Sequence, residues 1–94
     1  MSVSSDECRL MKLISNKIRF KILKSLANGE KCVMEIVRSV ECDQTTVSHN
    51  LSLLSECGLV ISRKSGKMRF YKLRISPLRK IIRELDGLLN LAEK

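Results

Sequence analysis

Two helix-length segments separated by a two-residue turn constrain the fold of this chain more than any other feature. From Cys32 to Val40, the apolar residues Val33, Ile36, Val37 and Val40 recur at helical spacing. Glu41-Cys42 makes the turn, and Asp43 stands where an N-cap belongs, at the head of DQTTVSHNLSLLSECGLV. At about 100° per residue, Gln44, Thr45, Ser48, His49 and Ser52 fall within one arc of about 140°. Val47, Leu51 and Leu54 gather on another side, so the segment is amphipathic. After Gly58 the pattern changes. LVISRK, Ser65-Gly66 and KMRFYKLR read as a two-stranded hairpin around a two-residue glycine turn. Its alternation is imperfect, because Phe70 and Tyr71 are adjacent. Two short helices, a tight turn and a basic hairpin predict a winged helix-turn-helix.

The flanking segments complete that plan. Ser4 or Ser5 suits the cap of a helix over 5–14, with Asp6 and Glu7 in its first turn and an apolar stripe of Leu10, Leu13 and Ile14. Asn16 caps KIRFKILKSLA, where Ile18, Ile22, Leu23 and Leu26 line one face and Lys17, Lys21 and Lys24 the other. Asn28-Gly29 ends it, since both residues tolerate the left-handed conformation. Ser76 and Pro77 start a last helix over 77–92 with Leu78, Ile81, Ile82, Leu85, Leu88 and Leu89 on its apolar side. The expected order is helix-helix-helix-helix-hairpin-helix. The fold class is mainly α with a small β-hairpin, one domain over 1–94 with the helix-turn-helix at 32–57 and the wing at 59–74.

A chain of this size buries only roughly 60–65% of its unfolded surface. The last helix carries a longer apolar stripe than one small core needs, and the helix over 5–14 offers another. Either the stripes finish the monomer core, or they join two copies; the small core and the two-fold sites common to this motif favour a homodimer.

Charge points to the partner. Eighteen Lys and Arg against ten Asp and Glu leave a net charge of +8. Residues 57–83 hold nine of the cations (Arg63, Lys64, Lys67, Arg69, Lys72, Arg74, Arg79, Lys80 and Arg83) and no acid. Clustered cations release counterions on meeting phosphates, so the segregation favours nucleic acid as the partner, while charge by itself leaves a membrane surface open. No apolar run approaches the ~20 residues of a membrane span. The N-terminus lacks the order of a secretory signal, so a cytoplasmic protein with reduced thiols at Cys8, Cys32, Cys42 and Cys57 is expected. The only aromatic residues are Phe20, Phe70 and Tyr71, too few for a single-strand stacking platform. No carboxylate pair, activated nucleophile or glycine-rich phosphate loop stands out, so catalysis is not expected.

The uncharged arc explains itself against duplex DNA. Base edges in the major groove present donor and acceptor patterns that short polar side chains can match. Gln44, Thr45 and Thr46 lead the helix, followed by Ser48, His49 and Ser52, and the leading residues of a recognition helix reach deepest. The plainer alternative is a helix that is merely polar and exposed.

KIRFKILKSLANGEKCVMEIV, DQTTVSHNLSLLSECGLV and ISRKSGKMRFYKL together resemble the ArsR/SmtB family of winged-helix repressors, over roughly residues 10 to 75. TTVSHNLSLLSECGLV carries the most specific likeness, to that family's recognition helix. The resemblance implies a repressor that binds a short inverted repeat as a homodimer, joined through the helices over 5–14 and 77–92. It implies Gln44, Thr45, Ser48 and His49 as base readers. It also implies Arg63, Lys64, Lys67 and Arg69 as wing contacts to backbone or minor groove. Cys32 matches the first cysteine of a metal box in which two cysteines flank a valine; here the run is Cys32-Val33-Met34. Cys8 lies where some relatives supply N-terminal thiols. Cys8 and Cys32 are therefore open to two readings, plain structural thiols or the site of a thiophilic metal ion or an oxidant, the latter short of the four ligands of a closed zinc site. A second family site between the last helices needs histidines, and none follows His49. Cys42 reads as a hydrophobic staple on Val47, and Cys57 as a small buried hydrophobe. The alternatives are a regulator without a small effector and a winged-helix protein-interaction module.

Overall fold

The computed structural model describes residues 16–74 and the helical backbone of 76–93, with side chains for 79–88 of that helix. The expected helix over 5–14 and Cys8 lie outside the described residues.

Helix α1 runs Lys17–Ala27. Asn16 caps it in an extended conformation, its Oδ1 accepting from the amides of Ile18 at 3.0 Å and Arg19 at 3.1 Å. Ile22, Leu23 and Leu26 are fully buried, as their spacing predicts. At the other end Asn28 stays right-handed and Gly29 alone takes a positive φ. Two cations meet carbonyls in the last turn. Lys31 Nζ donates to Ser25 O at 2.6 Å, and an Arg83 Nη donates to Ala27 O at 3.3 Å. The negative end of the helix dipole favours both.

The next helix begins one residue after the expected Cys32, at Val33, the first residue of its apolar stripe. Lys31–Cys32 form a short strand β1, and helix α2 covers Val33–Val40. Cys32 is the extended cap, and its amide donates to Glu35 Oε1 at 3.1 Å. The sheet therefore has three strands in the order β1-β3-β2, where a hairpin alone is expected. Lys31 pairs with Tyr71 and Cys32 with Phe70. Glu41, in the left-handed region at φ 55°, ends α2 and starts the turn into helix α3, Gln44–Glu56.

Strands β2 (Val60–Ser65) and β3 (Met68–Leu73) form the wing. Ser65 pairs with Met68, so the turn is Gly66-Lys67, one residue later than the Ser65-Gly66 expected. The reason is conformational. Gly66 takes φ 63° and Lys67 does not, the pattern of a hairpin turn with glycine at its first central position. Helix α4 spans Ser76–Glu93, so Ser76, the expected cap, falls inside it.

The core is aliphatic. Ile22, Leu23 and Leu26 of α1 meet Ile36 and Val40 of α2, Val47, Leu51 and Leu54 of α3, Leu59 and Val60 at the root of the wing, and Ile82 of α4. Phe20, Cys42, Tyr71 and Leu73 pack around it half-buried.

Candidate nucleic-acid interface

Helix α3 is anchored at its start, along its buried side and at its end. At the start, an Asp43 carboxylate oxygen accepts from the Thr46 amide at 2.9 Å, and the other accepts from the Thr46 hydroxyl at 2.7 Å. The hydroxyl bond first, and then the amide bond, hold the Asp43 pKa below its ordinary value. On the buried side, Val47, Leu51 and Leu54 enter the core as the spacing predicts. Asn50 lies with them, only 7% exposed. Its Nδ2 donates to Thr46 O at 2.8 Å, and its Oδ1 accepts from Arg19 of α1 at 3.4 Å. Nothing in the apolar periodicity marks Asn50 as a buried anchor.

At the end of α3, Gly58 N donates to Ser55 O at 3.0 Å, and Leu59 N donates to Leu54 O at 2.9 Å. Gly58 takes φ 76°, which completes a Schellman closure. Leu54 and Leu59 are both buried, supplying the apolar contact that usually accompanies it. Strand β2 then leaves directly at Val60.

Anchored in this way, α3 turns Gln44, Thr45, His49 and Ser52 to solvent, with Ser48 and Thr46 half-buried. The expected readers thus share the outer side of one helix. Thr46 differs from the rest, because its hydroxyl is engaged by the cap. No Lys, Arg, Asp or Glu occurs from Gln44 to Ser55.

The strand register sorts the wing cations by face, since directly paired residues share a face and successive residues alternate. Val60, Ser62 and Lys64 share the core-side face with Leu73, Tyr71 and Arg69. On that face an Arg69 Nη donates to Ser62 Oγ at 3.0 Å. Ile61, Arg63, Lys72, Phe70 and Met68 form the outer face. Lys64 and Lys67 are exposed. Arg63 is engaged. Its Nε lies 3.1 and 3.0 Å from the two Glu30 carboxylate oxygens, and an Nη lies 2.7 Å from Oε1. The guanidinium also stands 5.0 Å over the Phe70 ring. Both carboxylate and ring are invisible to a reading that treats Arg63 only as one of a block of cations.

Cys32 is buried, whereas Met34 is 46% exposed, so the two sulfurs of the Cys32-Val33-Met34 run do not share an environment. Among the described residues no group of three or more His, Cys, Asp or Glu is arranged to hold a metal ion. Cys42 packs half-buried on the core, the position of a staple, and Cys57 is half-buried at the end of α3. No described helix is long and apolar enough to cross a membrane.

A helix-turn-helix with an exposed polar recognition helix, followed at once by a cationic hairpin, defines the class of winged-helix regulators. Residues 16–62 match the model for bacterial regulatory proteins of the arsR family. An arsenical resistance operon repressor of Staphylococcus aureus is 32% identical over 77 residues, covering 82% of this chain and 74% of that protein. Among solved structures, HlyU from Vibrio cholerae superposes with a TM-score of 0.81 at 31% identity, covering 89% of this chain and 91% of HlyU. A homodimeric winged helix-turn-helix DNA-binding domain from Mycobacterium bovis, described as a possible ArsR-family regulator, gives 0.78 at 26% identity, covering 96% and 91%. The chain belongs to the arsR family of bacterial regulatory proteins.

Proposed function

We propose that this chain is a cytoplasmic transcriptional repressor that binds an inverted repeat in duplex DNA as a homodimer. Helix α3 enters the major groove, where Gln44, Thr45, Ser48, His49 and Ser52 meet base edges. Lys64, Lys67 and Arg69 contact the phosphate backbone. The observation that carries this reading is the exposed, uncharged side of α3 joined without a linker to a cationic hairpin. The homodimeric neighbour, together with Ile81 and Leu88 exposed seven residues apart on α4, supports association through the last helix.

A protein-interaction module would present an apolar patch on the recognition helix. Among the described residues the exposed large apolar side chains are Met34, Ile61, Met68, Ile81 and Leu88, and none is on α3. Cys32, together with Cys8, is the place where a thiophilic metal ion or an oxidant would act. The described residues do not assemble a metal-binding group, and DNA binding as proposed here requires none.

Fluorescence anisotropy with a random 20-base-pair duplex tests the core of the proposal. Contact with six to ten phosphates predicts affinity falling ~10³–10⁵-fold between 50 and 200 mM salt. No binding at 50 mM salt would overturn it.

A further inference from the structure

We infer that Arg63 is not a phosphate contact, and that with Glu30 it forms a brace that sets the position of the wing. The inference rests on the DNA-binding reading above, and deepens it by dividing the wing cations into those that touch DNA and one that positions them.

Three observations support the brace. The first is geometry. Glu30 follows the turn that ends α1 and precedes β1, whereas Arg63 lies on β2. The sheet order is β1-β3-β2, so these two strands do not touch each other. The ion pair therefore spans β3 diagonally. Arg63 and Cys32 are both paired with Phe70, from opposite sides. The guanidinium lies over the Phe70 ring while its edge meets the carboxylate. Two N–H groups are committed to Glu30 and one face is covered by the ring.

The second is need. Strand β1 holds the sheet through only two residue pairs, Lys31 with Tyr71 and Cys32 with Phe70. So short an edge strand is weak by itself. It is held from one side by Lys31 reaching back to Ser25 O of α1. The Glu30–Arg63 pair holds the sheet from the other face, and together they tie the wing to the helical body.

The third is competition. Arg63 sits on the outer face of the hairpin, opposite Lys64 and Arg69. A tethered, bidentate carboxylate already occupies its fork, so a phosphate must displace it. Lys64 and Lys67 face no such competitor among the contacts described.

Salt dependence distinguishes a strut from a contact, because each neutralised phosphate adds about 0.9 to the slope of log K against log salt on duplex DNA. On the random 20-base-pair duplex, Lys64→Gln and Lys67→Gln each flatten the slope by about 0.9. Arg63→Gln leaves the slope unchanged and lowers affinity by roughly two- to fivefold, on the scale of exposed ion pairs. Glu30→Gln removes a negative charge beside the wing yet lowers affinity by a similar factor. The charge swap Glu30→Arg with Arg63→Glu recovers part of the loss. In the absence of DNA, Glu30→Gln and Arg63→Gln both speed amide exchange in the β1–β3 ladder by roughly two- to fivefold. Flattening by Arg63→Gln equal to that of Lys64→Gln would overturn the brace. So would tighter binding by Glu30→Gln, or unchanged exchange in both variants. An unaltered slope in the Lys64 and Lys67 variants would instead count against the DNA-binding reading, and the exchange result would still judge the brace.

Discussion

Asn50 of helix α3 is held between Thr46 O, 2.8 Å from its Nδ2, and Arg19 of α1, 3.4 Å from its Oδ1. This buried amide stands on the side of the recognition helix opposite the proposed base readers and links that helix to the body. Asn50→Ala removes both bonds at a 7% exposed position. A loss of about 1–3 kcal/mol in urea-unfolding free energy is expected, the cost of unmaking buried hydrogen bonds. Random-duplex affinity should fall only modestly while the domain stays folded, because no proposed phosphate contact is touched. A loss below about 0.5 kcal/mol would show that the amide carries little of the anchoring.

The closure of α3 depends on Gly58. Its φ of 76° is accessible to glycine and strained for other residues, and an added Cβ would lie 3.4 Å from Arg74 Nε. Gly58→Ala is expected to cost about 1–2 kcal/mol from the left-handed backbone alone. Arg74, whose Nε donates to Gly58 O, would have to yield slightly as well. Chemical denaturation measures the change, and an alanine variant as stable as the parent would mean the closure is not required.

Acid should loosen the start of α3. The Asp43 pKa is depressed in the folded state by the Thr46 hydroxyl and amide. A depressed carboxylate contributes stability that is complete above its unfolded pKa and lost as pH falls through the folded value. The cap is therefore intact above about pH 5 and lost progressively below about pH 4. Asp43→Asn keeps a good cap and should remove this part of the acid sensitivity, while Asp43→Ala destabilises at every pH. Helicity against pH, followed by circular dichroism for the three proteins, checks the order.

On a selected operator, Gln44→Ala or Ser48→Ala should lose about 1–3 kcal/mol against the preferred base and little on random duplex. Lys64→Gln should weaken both alike. Equal loss on both duplexes for Gln44→Ala would move the base contacts elsewhere.

Ile81 is 49% exposed and Leu88 62%, one heptad apart on α4. Ile81→Glu or Leu88→Glu should shift a dimer toward monomer in sedimentation and weaken binding to an inverted repeat far more than to a half-site. A dimer undisturbed by both substitutions would place the interface on another surface.

The recognition helix was legible because its signals are local. The Asp43 cap, the Val47, Leu51 and Leu54 stripe and the closing Gly58 all lie within one short run of sequence. Asn16 marked its helix for the same reason. Strand β1 was not legible. Two residues are too few to show a period of two, and its partners Phe70 and Tyr71 lie far along the chain. The same pairing explains the broken alternation of the wing. Tyr71 packs on the core with Leu73, while Phe70 turns outward beneath Arg63. Asn50 and the Glu30–Arg63 pair were hidden because each gains its meaning from a residue more than thirty positions away. The proposed base readers stood out through missing charge, a property of composition at fixed spacing that needs no distant partner.

The Schellman closure leaves only Cys57, Gly58 and Leu59 between the recognition helix and the first wing strand. Two of these residues take part in the closing hydrogen bonds, and Leu59 is buried. Such a junction has no slack, so the helix proposed to read the groove and the ribbon beside it travel together. In a homodimer bound as proposed, each helix and its wing would then act as one rigid piece, and fit to the two halves of an inverted repeat would depend on the spacing of those pieces rather than on the shape of either.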